Sequence, residues 1–197
     1  MKGIQNFIIE LDTPYFEKFK SSNGVEFFGT TDFNADRLSN RVAIIKGIPE
    51  LFESEIKVGY EVLIDFSNFY RQIYRGVKQW YQAIIDEEAN LYHLTSNMII
   101  CYREDSSSEW KGFENNSLVK PIYEQSKINT SLIVPENNTK KEFKGKVQVV
   151  YANQKLREQE VTNGTIVYMN PLGGVKYWFE GKEYWWIRNC DVYGIVS

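Results

Sequence analysis

Residues 117–152 read SLVKPIYEQSKINTSLIVPENNTKKEFKGKVQVVYA and divide into three parts. Ser117–Ile122 is a short apolar run with Lys120 and Pro121 near its end. Tyr123–Glu142 is mostly polar and contains one isolated apolar tripeptide, Leu132-Ile133-Val134, which Pro135 follows. Gly145–Ala152 is rich in Val. A segment as polar as the middle part cannot bury enough surface to order itself. Its tripeptide therefore either anchors a loop to its own domain, as an ordinary strand stopped by Pro135, or serves a partner.

Further motifs follow in order: Asn163-Gly164-Thr165-Ile166-Val167-Tyr168, Gly173-Gly174-Val175-Lys176 and Asn189-Cys190-Asp191-Val192-Tyr193-Gly194-Ile195-Val196. Together with Leu118-Val119-Lys120-Pro121-Ile122, Ser131-Leu132-Ile133-Val134-Pro135 and Lys144–Val150, this series resembles the GroES-like co-chaperonins, the lids of chaperonin cages. In that family an LVKPI-type strand leads into a mobile loop with a Gly-Leu-Ile-Val-Pro type motif, and a KGKVVAVG-type strand follows. The resemblance implies a small β-barrel and a non-enzymatic lid that assists protein folding. It implies a GroEL-type chaperonin ring as partner, a homo-oligomeric ring of lids, and Leu132, Ile133 and Val134 as the chaperonin-binding residues. It implies no cofactor of the chain's own, since ATP or ADP would be bound by the partner. Burying three such side chains in an apolar groove is worth roughly 5–8 kcal/mol before ordering costs. A ring multiplies such weak sites.

Composition is compatible with this reading. The chain has 197 residues, with 43% hydrophobic and 25% charged, ordinary for a globular protein of one large or two small domains. No apolar run is long enough to span a membrane. The N-terminus MKGIQNFIIELDTPYF does not read as a signal peptide, so a cytoplasmic location is expected. Cys101 and Cys190, in different halves, read as thiols rather than a disulfide. A net charge of −3 argues against nucleic-acid binding. Residues 1–105 carry 11 basic and 16 acidic side chains and the remainder 12 and 10, so the halves could complement each other electrostatically.

Along the chain, Asn6–Leu11, Arg41–Ile45, the residues after Gly59, Gly76–Trp80, Tyr81–Ile85 and Asn97–Tyr102 read as short strands with Gly and Pro punctuation. No segment sustains a 3.6 period, so helix should be scarce. An internal repeat is also visible. Arg41–Ile45 matches Lys146–Val150 and Gly59 matches Gly164; Gly76–Trp80 matches Gly174–Trp178 and Ile99-Ile100 matches Val192-Tyr193. The expected fold is all-β, with two tandem GroES-like small β-barrels. One spans residues 1–105, with longer loops; residues 106–116 form a polar linker; the other spans 117–197 and carries the mobile-loop motif.

The first copy departs from the family in its loop, Asn23-Gly24-Val25-Glu26-Phe27-Phe28, where Glu26 stands at an expected apolar position. A carboxylate in an apolar groove is costly. Val25, Phe27 and Phe28 are the candidates for a modified second loop; Phe27-Phe28 also fits a plain core pair. The segments Asn153–Glu160 and Ile48–Glu55 are short and polar where many family members have a hairpin that roofs the cage.

Other chemistries find little support. His93 is the one histidine, apart from both cysteines, so neither a Cys/His metal site nor a Ser-His-Asp set is expected. No Gly-rich phosphate loop is present. Asp86-Glu87-Glu88 reads as a solvated loop, and Trp178, Trp185 and Trp186 as core or ring-interface residues. No catalytic residue is assigned. The alternative function is structural: the same barrels as a ring or decoration component of a larger assembly, such as that of a phage, in keeping with the Asn-, Tyr- and Lys-rich composition.

Overall fold

The computed structural model describes residues 2–12, 18–20, 26–28, 40–65, 72–74, 77–79, 83–86, 88–125 and 141–196, with backbone alone at 18–20, 26–28, 72–74, 77–79, 125 and 141. Strands dominate. They are β1 (Phe7–Glu10), β2 (Lys18–Lys20), β3 (Glu26–Phe28), β4 (Val42–Gly47), β5 (Glu61–Ile64) and β6 (Gln72–Tyr74). Next come β7 (Val77–Gln79), β8 (Ile84–Asp86), β9 (Leu91–Leu94), β10 (Ile99–Arg103) and β11 (Lys111–Gly112). The second half holds β12 (Asn116–Gln125), β13 (Lys141–Tyr151), β14 (Ile166–Met169), β15 (Val175–Phe179), β16 (Lys182–Arg188) and β17 (Val192–Ile195). One short helix, α1 (Gln154–Glu158), lies between β13 and β14, capped by the Asn153 carboxamide on the Leu156 N–H. Single 3-10 turns at Ser96–Met98 and Asn189–Asp191 lead into β10 and β17.

Two antiparallel sheets result, ordered β11-β10-β5-β4-β1-β9-β8 and β15-β16-β12-β13-β14-β17; β2–β3 and β6–β7 are separate hairpins. Reading the second sheet from its β17 edge gives the order of the first from β10 onward, strand for strand. The registers also coincide. Ala43 faces Val62 as Val147 faces Val167, and Ile9 faces Ile45 as Val119 faces Val149. A register shift lies between Ile8 and Ile9, and again between Leu118 and Val119. Another separates Ile99 from Cys101 on β10, and its match lies where Met169 and Tyr168 face Val192 and Gly194 of β17. The turn into β5 is repeated as well. Gly59, at φ +94°, donates to Ile45 at 2.8 Å, and Gly164, at φ +92°, donates to Val149 at 2.7 Å. The backbone thus has one plan in both halves, with unlike side chains hung on it.

These registers correct the sequence alignment in two places. The match of Arg41–Ile45 to Lys146–Val150 sets Ile44 against Val149, whereas Ile45 is the true counterpart: Ile45 and Val149 are buried, and Ile44 is exposed. A slip of one residue exchanges the two faces of a strand, and the consecutive Ile44-Ile45 pair hid it. Second, β8, not β7, holds the position of β15, because Ile84 faces Tyr92 as Lys176 faces Trp185. The Gly-Val-Lys resemblance between β7 and β15 does not reflect a shared place, since β7 pairs with β6.

The segment 106–116, expected as a polar linker, is built into the fold. Its β11 adds to the β10 edge, with Gly112 opposite Cys101 and Lys111 opposite Tyr102. Trp110 and Phe113 are buried on either side of it. Phe113 joins the first core with Phe7, Ile9, Ile45, Val62, Ile99 and Tyr102. The core of the second half centres on Val119, Val147, Val149, Val167 and Ile187, with Leu156 of α1 closing one end.

Between these lies a third cluster that belongs to both halves: Leu63, Ile100 and Cys101 from one, Leu118, Tyr177, Phe179, Tyr184 and Trp186 from the other, and Trp110 from the join. This seam explains why β5 and β10 are buried on both faces. Several of its polar groups are hydrogen-bonded, as burial demands. The Tyr177 hydroxyl donates to the Ile64 carbonyl at 3.0 Å. The Trp186 indole donates to Asn116 Oδ1 at 3.1 Å, and Asn116 Nδ2 donates on to the Ile99 carbonyl at 2.7 Å. The Arg41 guanidinium lies 4.1 Å from the centre of the Tyr177 ring. Apolar packing and hydrogen bonds fill the seam, while the ion pairs Lys46–Glu10, Arg103–Glu61 and Lys146–Glu124 each stay within one half.

Candidate binding hairpin

The polar segment with the apolar tripeptide is framed by β12 and β13, two long strands that pair from Leu118 opposite Tyr151 to Gln125 opposite Lys141. Length here is built by sequence. The base of the hairpin buries Leu118 and Val119 ahead of the exposed Lys120, and alternates buried Val147 and Val149 with exposed Gln148. Beyond Pro121 the pairing changes. Two steps along β12, from Pro121 to Tyr123, face four along β13, from Val147 to Phe143. The extra length is a bulge at Lys144–Lys146, and a bulge is also where a strand tolerates a proline partner. Gly145 sits in that bulge at φ +81°, and a Cβ there would lie 2.7 Å from the Met169 carbonyl oxygen.

The stem above the bulge is held by side chains. Phe143 packs 4.6 Å from the Trp185 ring and 6.1 Å from the half-exposed Tyr123. Such offset and edge contacts add to the area they bury. Glu124 accepts from Lys146 at 2.8 Å and lies 3.8 Å from Lys144, the two lysines that flank Gly145. The Lys146 hydrogen bond, and then its charge, hold the Glu124 carboxyl below the usual range, and Glu124 raises Lys146 in return. The stem is therefore an arm of paired backbone with a salt-bridged bend.

Leu132, Ile133 and Val134 fall within 126–140 and so lie outside the described residues, as does Val25. Phe27 and Phe28 belong to β3, with Phe27 opposite Phe19 and Phe28 opposite Lys18. The two loops occupy equivalent places, since β1 and β4 bracket the first as β12 and β13 bracket the second. Sequence reading gave no role to the stem residues Tyr123, Glu124 and Phe143, and took Lys146 only as part of the Lys144–Val150 strand. Their signal was weak: two aromatics and two charges at the margins of a polar stretch.

Among the described residues no group of three or more His, Cys, Asp or Glu side chains is placed to hold a metal ion. Cys101 is buried in the seam, and burial pushes its thiol well up; Cys190 is exposed. No helix among the described residues is long and apolar enough to cross a membrane.

Comparison with known proteins places this geometry. Residues 110–196 match the family model of the chaperonin 10 Kd subunit. The co-chaperonin GroES of Desulfosudis oleivorans is 30% identical over 95 residues, which are 99% of that protein and 45% of this chain. The co-chaperonin GroES of Coprothermobacter proteolyticus is 28% identical over 94 residues, 96% of its length and 45% of this chain. Practically the whole length of a GroES relative is thus matched by 45% of this chain, the family model falls on the half that carries the β12–β13 hairpin, and the chain belongs to the GroES co-chaperonin family.

Proposed function

We propose that this protein is a co-chaperonin: a non-enzymatic lid that docks on a GroEL-type chaperonin ring and assists protein folding. Leu132, Ile133 and Val134 are the docking residues, nucleotide is bound by the partner alone, and the lid works as a homo-oligomer in the cytoplasm. The observation that carries this reading is the match of residues 110–196 to the family, end to end with relatives named as co-chaperonins. The stem supports it, because its braced strands β12 and β13 flank in sequence the polar segment that holds the tripeptide.

The first half, residues 1–105, is on this reading a second GroES-like barrel in tandem with that of 117–197. Its support is the shared strand order, register shifts and glycine turn. Val25, Phe27 and Phe28 stand where its own loop would engage a partner.

The test is co-elution of the purified chain with a GroEL-type chaperonin, with and without ATP or ADP, beside Ile133→Asp. The expected outcome is a complex that needs nucleotide and weakens at least ~100-fold in the variant, since a carboxylate replaces an apolar anchor. A complex untouched by Ile133→Asp would move the contact to Val25–Phe28. No complex under any nucleotide would reject the lid.

A further inference from the structure

The turn between α1 and β14 carries a chemically reactive pair, Asn163-Gly164, and both residues are exposed to water. In a free chain such a pair converts itself. The Gly164 nitrogen gives up its proton to solvent and attacks the Asn163 side-chain carbonyl carbon. The new N–C bond closes a succinimide ring, and the Nδ2 group takes a proton and leaves as ammonia. Water then opens the ring to aspartate or isoaspartate. Glycine favours the step, because it has no Cβ to crowd the nitrogen and its backbone bends freely. The turn itself does not call for asparagine. Its counterpart in the first half is Val58-Gly59, with Gly59 at φ +94° against φ +92° at Gly164.

The fold commits the groups that this reaction needs. The Gly164 N–H donates to the Val149 carbonyl at 2.7 Å. The Asn163 carboxamide is held at both ends: Oδ1 accepts from the Ala152 N–H at 3.0 Å, and Nδ2 donates to Glu109 Oε1 at 2.7 Å. Ring closure takes the Gly164 proton and turns the carboxamide onto that nitrogen, so these bonds must break first. The same bonds fasten the join to the second half. The Ala152 carbonyl accepts from Gly112 of β11 at 3.1 Å, and Glu109 precedes Trp110, which is buried in the seam. An aspartate at position 163 keeps the acceptor for Ala152 but loses the donor to Glu109, and it sets a second carboxylate against the first. An isoaspartate also inserts a methylene into the main chain of the turn.

We propose that Asn163 is a self-modification site which the closed join protects. When the join opens, Asn163-Gly164 cyclises with loss of ammonia, and the acid that water then forms lets the join reclose only weakly. Water is the one co-reactant. The change is irreversible, so brief openings accumulate over the life of the chain as a growing fraction with a loosened join. The step requires no chaperonin and stands apart from the lid reading.

The experiment ages the full chain at neutral pH, natively and in urea. Mass spectrometry of its peptides follows conversion at Asn163 and separates it from that at Asn23-Gly24. Conversion of Asn163 is expected to be at least ~10-fold slower in the native chain, since opening must precede the chemistry. Glu109→Ala removes one of the holding bonds, so it should speed native conversion roughly 3–10-fold and leave the rate in urea unchanged. The consequence is read by hydrogen exchange at the Gly112 and Phe113 amides, whose bonds to the Ala152 and Ile100 carbonyls hold the join. Asn163→Asp should speed that exchange roughly 3–30-fold. The Ile45 amide, bonded to the Tyr60 carbonyl within the first half, should not change. Adding Glu109→Gln to Asn163→Asp should restore slow exchange, because a carboxamide there donates to the new carboxylate. Circular dichroism checks the fold of each variant. Aged wild-type chain, scored for converted and unconverted molecules, gives the same comparison if Asn163→Asp does not fold. The proposal is overturned by native conversion as fast as that in urea, or by a native rate that Glu109→Ala leaves untouched. It is equally overturned if converted chains exchange Gly112 and Phe113 at the wild-type rate, or if Glu109→Gln restores nothing.

Discussion

Gly145 and Gly164 both hold backbone conformations at positive φ, yet they do different work. Gly164 turns the chain into β14 with open space where a Cβ would go, and Gly59 does the same before β5. Gly145 turns the β13 bulge with the Met169 carbonyl pressed against it. Gly164→Ala should therefore cost only the backbone preference, about 1–2 kcal/mol. Gly145→Ala adds a steric clash with main chain and should cost at least ~3 kcal/mol, or shift the stem. Thermal denaturation of the two variants checks the difference, and equal costs would mean that the bend at Lys144–Lys146 relaxes freely. Gly145 and Gly164 were both visible in the sequence as punctuation. Which one was crowded was not, because the neighbour, Met169, comes from another strand.

At the level of elements, strands were legible where buried and exposed residues alternate, as in Val147-Gln148-Val149, and ambiguous where they do not. Ile44-Ile45 offers an apolar residue to either face, so sequence alone could not choose the register that the β1, β4 and β5 pairing fixes. Trp110 and Phe113 looked like isolated aromatics in a polar join. The tripeptide Leu132–Val134 was conspicuous in the sequence, whereas the arm that presents it was not, since Tyr123, Phe143 and Trp185 converge only in three dimensions. Tyr177 shows the same limit: it reads as one aromatic among many, but it links β15 to β5. Burial raises its phenol far above the ordinary value of 10.0. A raised value means that its stabilisation is complete below pH 10 and is lost as pH rises beyond that, where the unfolded chain ionises and the folded one does not. Folding equilibria should thus fall up to roughly tenfold per pH unit above ~10 on account of Tyr177, with Tyr151, pushed up to about 12, adding to the slope. Tyr177→Phe should cost about 1–2 kcal/mol at neutral pH, by orphaning the Ile64 carbonyl, and flatten the alkaline limb. Urea titrations across that range check both; an unchanged limb would mean that Tyr177 ionises in place.

Among the described residues the two sheets share one strand order and are fused by a core that belongs to neither alone. Halves joined by a flexible tether could fold and open independently, but here Leu63, Ile100 and Cys101 have no dry surroundings unless Tyr177, Trp186 and Trp110 are in place. Separating the halves means wetting that cluster. The two cysteines turn this into a clock. Cys190 is open to solvent, whereas Cys101 is sealed where the halves meet. In a native sample, a thiol reagent should consume one equivalent at once and the second only as fast as the halves part. The ratio of the slow rate to that of an unshielded thiol then reports the free energy of parting, without denaturant. Two prompt equivalents would show that the halves breathe apart freely, and a single slow phase that follows global unfolding would show that they part only when everything does.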